Sequence, residues 1–205
     1  MNDTVTHGGA TTVAKHRVEA LSDGVYAIAL TLLVLELKLP ALPHGATDAA
    51  LRAALVELLP KVLAWLLSFG VIALIWMAQQ RLYRVSERLD RQLVRVELLM
   101  LALVSLLPFS TALVGEYGGR VTSASLYAMH LVAIAFAGWL RVRHFLRHAE
   151  LHVAALDAKT IRGMQVRSRI FLACTAGTLA LAAFLPGWNM LAMVPAGLAP
   201  LLTRD

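Results

Sequence analysis

Residues 17–40 read RVEALSDGVYAIALTLLVLELKLP. The stretch opens on Arg17, Glu19, Ser22 and Asp23, runs almost unbroken apolar from Gly24 to Leu35, and closes on Glu36, Lys38 and Pro40. An apolar run of this kind approaches the length needed to cross a hydrocarbon core. The charged cluster at one end and the single Thr31 at mid-depth then need a reason to be there, because polar groups in a bilayer are costly unless they are partnered or used.

Composition extends the same reading to the whole chain. Of 205 residues, 59% are hydrophobic and 16% charged, and the mean hydropathy is +0.68. Soluble domains run at about 45–50% apolar and about 25% charged. The surplus cannot be buried inside one small globule, so it must face lipid. The net charge of +6 lies between apolar segments rather than along a groove, which argues for topology and against nucleic acid. Cys174 is the one cysteine and lies in an apolar segment, excluding a disulfide or zinc framework. Residues 1–16 lack the apolar core of a signal peptide and read as a disordered tail, leaving 17–205 as one transmembrane domain.

Six spans are predicted, at about 22–39, 58–78, 96–114, 123–140, 170–185 and 189–202, with an amphipathic lead-in over 49–57 before the second. The segments 79–95 and 141–169 read as basic connections. With the N-terminus inside, fifteen of the nineteen Lys and Arg residues are cytoplasmic, and only Lys38, Arg52, Lys61 and Arg120 are outside. By the positive-inside rule both termini are cytoplasmic. The expected class is all-α and polytopic.

Within the first span, Gly24, Ile28, Thr31 and Leu35 share one helical stripe, with Leu21 below it. One helix encloses nothing, but several copies around an axis would stack rings of Ile, Thr and Leu. Apolar rings gate by dewetting, and hydroxyl rings offer oxygens to a cation. The same stripe also suits an ordinary helix contact in which Thr31 bonds back to its own helix. Ser22 and Asp23 can cap the helix. Alternatively they enter a network in which Arg17 pairs with Asp23 and Ser22 reaches a neighbouring helix. Trp76 and Gln80, four apart on the second span, and Glu97 at the start of the third are the candidate partners.

His144, His148 and His152 recur every fourth residue and on a helix would form one face. The arginines around them disfavour both a metal and a protonated ring, so they are expected to be solvated or to face headgroups. No catalytic spacing, phosphate loop or mid-membrane acid is visible, so neither an enzyme nor a proton-coupled carrier is expected, and no cofactor or metal is implied.

The pattern Arg17-x-x-x-Leu21-Ser22-Asp23 followed by GVYAIALTLLVLELKLP closely resembles the opening signature of the transmembrane protein 175 family of potassium channels. SFGVIALIWMAQQRLYR resembles that family's second span, and LLMLALVSLLPFSTALVGEYG its third. The resemblance implies a homotetramer with the first helix of each subunit lining a central pore. Ile28, Thr31 and Leu35 would be the pore rings, with K+ the permeant ion. Arg17, Ser22, Asp23, Trp76, Gln80 and Glu97 would form the polar network behind them. The chain departs from the usual pattern at Leu21, where Phe is common, at Gln80, where His is frequent, and at Glu97, where Asn stands.

The resulting expectation is a potassium-permeable leak channel of a bacterial inner membrane, partnered by lipid and by three further copies of itself. The competing reading is a non-conducting membrane scaffold or small-solute carrier.

Overall fold

The computed structural model describes residues 15–186, 188–193 and 195–197. Six α-helices follow one another: α1 Lys15–Val34, α2 Asp48–Glu57, α3 Leu59–Val85, α4 Arg91–Tyr117, α5 Val121–Arg147 and α6 Ala158–Ala182. Short 3₁₀ turns lie at Ala149–Leu151 and Asn189–Met193. Of the tail assigned to 1–16, Lys15 and His16 are already helical and 1–14 lie outside the described residues, as do 194 and 198–202 of the sixth predicted span.

The helix boundaries have local causes. Asp90 accepts from the Leu93 amide at 2.7 Å, and Thr47 and Asp157 do the same for the amides of Ala50 and Thr160 at 3.3 Å. Each of these satisfies an amide that the first turn leaves without a partner. Pro60 has no N–H to donate and its ring crowds the carbonyl four residues back, which separates α2 from α3 at Leu58. In α4, Pro108 is carried inside the helix. Nearby, His130 of α5 braces that helix: its Nε2 lies 2.9 Å from the Leu103 carbonyl and its Nδ1 lies 2.8 Å from Ser110 Oγ. The carbonyl can only accept, so Nε2 carries a proton there.

Three helices, α3, α4 and α5, each of 27 residues, are long and apolar enough to cross a membrane. At 1.5 Å per residue each is about 40 Å long. They therefore outreach a hydrocarbon core of about 30 Å. This is where the sequence expectation needs correcting. The basic segments 79–95 and 141–169 are not long loops: α3 and α5 continue as helix to Val85 and Arg147, leaving connections of only 86–90 and 148–157. The first span was expected to reach 39, but the helix stops at Val34 and residues 35–39 form a turn and irregular chain. Among the described residues, α1 and α6 fall short of the length and apolar composition that mark these three.

The helices run up and down as a bundle. One apolar cluster joins Tyr26, Ala29, Leu33, Ile72, Val104, Tyr127 and Ile134 at its centre. A second, with Val18, Leu82, Leu89, Leu93, Phe145 and Leu151, seals the end where α1 and α4 begin and α3 and α5 finish. Lys15 fastens that end by donating to the carbonyls of Tyr83 and Ser86 at 2.6 and 2.7 Å. A cation on the last carbonyls of α3 also complements its dipole. At the opposite end Lys61 and Glu116 form an ion pair.

Candidate functional site

The site centres on α1, whose two faces have opposite fates. Val18, Ser22, Tyr26, Ala29 and Leu33, spaced by four, four, three and four, are buried against α3 and α4. Gly24, Ile28, Thr31 and Leu35 all lie exposed on the chain's surface, Ile28 at 59% and Leu35 at 60%. Among the described residues the subunit has nothing that covers this stripe. Thr31 Oγ1 donates to the Ile28 carbonyl at 2.8 Å. That bond occupies the hydroxyl proton and leaves the oxygen lone pairs facing outward. Leu35 is the first residue beyond the helix, and its amide bonds to Leu32 at 3.1 Å in a tightened final turn.

Behind this helix the polar residues divide into two groups. In the first, Trp76 Nε1 and Gln80 Nε2 each donate to Asp23 Oδ1 at 2.8 Å. One carboxylate oxygen therefore ties α1 to two turns of α3, at a partly open position. The second group is buried. Ser22 Oγ donates to Glu97 Oε1 at 3.3 Å, and Arg141 Nη1 donates to Glu97 Oε2 at 3.0 Å. Tyr83 Oη lies 3.5 Å from Ser22 Oγ and accepts from Gln79 Nε2 at 3.1 Å. The side chains of Glu97 and Arg141 are only 3% and 4% exposed. Three helices thus meet on the Glu97 carboxylate, and α3 joins them through Tyr83 and Ser22.

Arg17 was expected to supply the cation and pair with Asp23, but it lies exposed at the start of α1. Asp23 receives Trp76 and Gln80 instead, and the buried guanidinium belongs to Arg141. The sequence reading had placed Arg141 in a basic loop. The signal that could have found it was Glu97: an acid within an apolar run requires a buried cation. Arg141 is a polar residue at the end of an apolar run on the matching side of the bundle.

The three histidines also differ from expectation. They form no helical face, since α5 ends at Arg147. His144 Nε2 meets Asp90 Oδ2 at 2.7 Å, with its side chain 11% exposed. His148 Nδ1 and His152 Nε2 lie 2.9 Å from the carbonyls of His144 and Phe145. They lock the short 148–157 connection rather than standing in solvent. Burial by itself would raise the Asp90 carboxyl, but the Leu93 amide and His144 outweigh it and hold the pKa below the usual aspartate value. Among the described residues no group of three or more His, Cys, Asp or Glu side chains could hold a metal.

Comparison with known proteins matches this part of the molecule. A family model described as the endosomal/lysosomal potassium channel TMEM175 covers residues 17–108. A potassium channel from Streptomyces collinus is 35% identical over 155 residues, 74% of this chain and 74% of its own length. A potassium channel from Chamaesiphon minutus is 43% identical over 124 residues, 58% of this chain and 60% of its own length. The crystal structure of a lysosomal potassium-selective channel TMEM175 homologue from Chamaesiphon minutus matches at 31% identity with a TM-score of 0.76. That match covers 93% of this chain and 98% of the other.

Proposed function

The chain belongs to the TMEM175 family of potassium channels, and from that premise we propose that four copies assemble about an axis into a potassium-permeable leak channel. Each copy contributes α1 to the wall of the pore. Ile28 and Leu35 form apolar rings that set its width and wetting, and Thr31 forms the hydroxyl ring at which K+ sheds part of its hydration. The observation that carries this reading is the uncovered stripe of α1: Gly24, Ile28, Thr31 and Leu35 are exposed while the opposite face is packed within the subunit. A threonine oxygen facing outward on an otherwise apolar stripe gains nothing from lipid, but it is useful to a partly dehydrated cation.

Six crossings per subunit, with α1, α6 and the stretch after α6 completing the three apolar helices, agree with the positive charge. The basic residues of 15–17, 81–95 and 141–169 gather at the end where α1 begins, and that end faces the cytoplasm of a bacterial inner membrane. The Asp23–Trp76–Gln80 contact and the buried Ser22–Glu97–Arg141 cluster hold α1 at a fixed rotation, so the stripe faces the axis.

The test is potassium flux into liposomes carrying the purified protein. Wild-type protein conducts potassium, and its reversal potential shifts toward that of a non-selective pore in Thr31→Ala. Flux indistinguishable from empty vesicles, or a monomer in mild detergent, overturns the proposal in favour of a scaffold or carrier.

A further inference from the structure

Buried polar atoms almost always find a hydrogen-bond partner, and each exception asks for an explanation. Among the described residues five buried side-chain atoms have none: Tyr26 Oη, Trp65 Nε1, Gln79 Oε1, Arg141 Nε and Asn189 Oδ1. Three of the five, on Tyr26, Gln79 and Arg141, belong to the buried junction around Glu97. These residues come from α1, α3 and α5 and are 1%, 0% and 3% exposed. The Tyr26 hydroxyl interacts electrostatically with the Arg141 guanidinium, with Glu97 and with Tyr83, yet no hydrogen bond closes to it. The Gln79 amide reaches Tyr83 Oη through Nε2 at 3.1 Å and leaves Oε1 unmet.

We propose that an internal water is bound at this junction, accepting from Arg141 Nε, bonded to Tyr26 Oη and donating to Gln79 Oε1. The unmet groups select that ligand. They comprise one donor, one acceptor and one hydroxyl that serves as either, so the occupant must both accept and donate. Charge selects against an ion, because the Glu97 carboxylate and the Arg141 guanidinium already balance each other at 3.0 Å. Internal waters typically make about three hydrogen bonds to polar groups that have no other partner. Exchanging the oxygen and nitrogen of the Gln79 amide lets Tyr83 donate to Oε1 and leaves Nε2 over instead. Water meets that group equally well.

A route for water exists at the side of the junction, since Arg141 also lines the crevice between α3, α5 and α6 together with Ile75, Met100 and Ile134. The direct bonds of the junction run from Ser22 on α1 to Glu97 on α4, and from Glu97 to Arg141 on α5. The water adds a tie between Tyr26 and Arg141, one turn further along α1 than Ser22. A water bridge is nearly as favourable as a direct hydrogen bond. The inference concerns the single subunit and does not require that the chain conducts potassium, so absent flux leaves it standing.

The test uses the purified full chain in mild detergent. A crystal structure or cryo-electron microscopy map that resolves ordered solvent should show a density peak within hydrogen-bond distance of Tyr26 Oη and Arg141 Nε. Melting temperature is the second readout, because Tyr26→Phe removes the hydroxyl and keeps the ring. An unmet buried hydroxyl destabilises the fold, so removing one would leave the melting temperature unchanged or raise it. A hydroxyl bonded to water behaves oppositely, and Tyr26→Phe is expected to lower the melting temperature by several degrees. Gln79→Met removes another partner of the same water, so the two changes together should cost less than the sum of each alone. Absence of the peak from a map that shows other internal waters, a Tyr26→Phe protein that melts at or above wild type, or strictly additive losses overturn the proposal. If neither variant folds, the wild-type map alone decides.

Discussion

The two faces of α1 contrast within a single 20-residue helix. One face is completed by its own chain: Ser22 reaches Glu97, Tyr26 and Leu33 enter the core, and Ala29 permits close packing. The other, through Gly24, Ile28, Thr31 and Leu35, is completed by nothing among the described residues. The first face is a problem in folding, where an unpaired buried charge costs several kcal/mol. The second, on the proposed channel, is a problem in assembly and transport, where substitutions are expected to leave the subunit's fold nearly untouched and to act on the ion. Stability and function are therefore expected to separate by face, although the residues alternate along one helix.

The sharpest way to break that separation is at the buried pair. Arg141→Ala or Glu97→Ala leaves the partner charge buried alone, and a loss of about 3–5 kcal/mol is expected. It would be read as a collapse of folded yield and of the thermal transition in detergent. The double change Glu97→Leu with Arg141→Met should recover most of that loss, because two well-packed apolar side chains of similar volume need no counter-charge. If it recovers stability but not potassium flux, the pair also orients α1.

Next in size is Asp23→Ala, which strands the indole and amide donors of Trp76 and Gln80. These groups are partly open, so the expected cost is about 1 kcal/mol, seen as a modest drop in melting temperature with tetramers retained. On the open face, Ile28→Ala and Thr31→Ala should change stability by less than about 0.5 kcal/mol. In flux assays Ile28→Ala is expected to raise total monovalent current and Thr31→Ala to reduce the preference for potassium. A large stability loss at either position would mean that the stripe is a packing surface.

The smallest effect concerns Asp90. Its pKa is lowered on folding, so the stability it adds is present above the ordinary aspartate value of 3.8 and is lost as the pH falls below it. The carboxylate is largely open to solvent, and the contribution is under about 1 kcal/mol. Unfolding of wild type and Asp90→Asn should therefore differ at pH 6 and converge toward pH 3.

Much of the local architecture could be read directly. The amphipathic lead-in that forms α2, the apolar cores of the crossing helices and the stripe on α1 follow from apolar run length and 3.6-residue periodicity. What misled was charge: runs of arginine at 81–95 and 141–169 read as loops, yet α3 and α4 carry most of the first and α5 and α6 most of the second as helical extensions beyond the apolar segments. A long arginine side chain is compatible with helix, and polarity alone does not end one. The family-model match ends at 108, so the motif that identified the chain could not reach Arg141 either.

By itself the sequence determined that this protein lives in a bilayer, which end is basic, and that Gly24, Ile28, Thr31 and Leu35 share one stripe of α1. These properties depend on composition and on spacing along one helix. Tertiary structure alone decided which cation serves Glu97, because residues 97 and 141 are 44 positions apart and meet only when α4 and α5 pack. It also decided that Asp23 answers to Trp76 and Gln80 rather than to Arg17 six residues away. Six positions along an α-helix turn a side chain about 120° away, whereas a packed neighbour brings two donors within 2.8 Å of one oxygen.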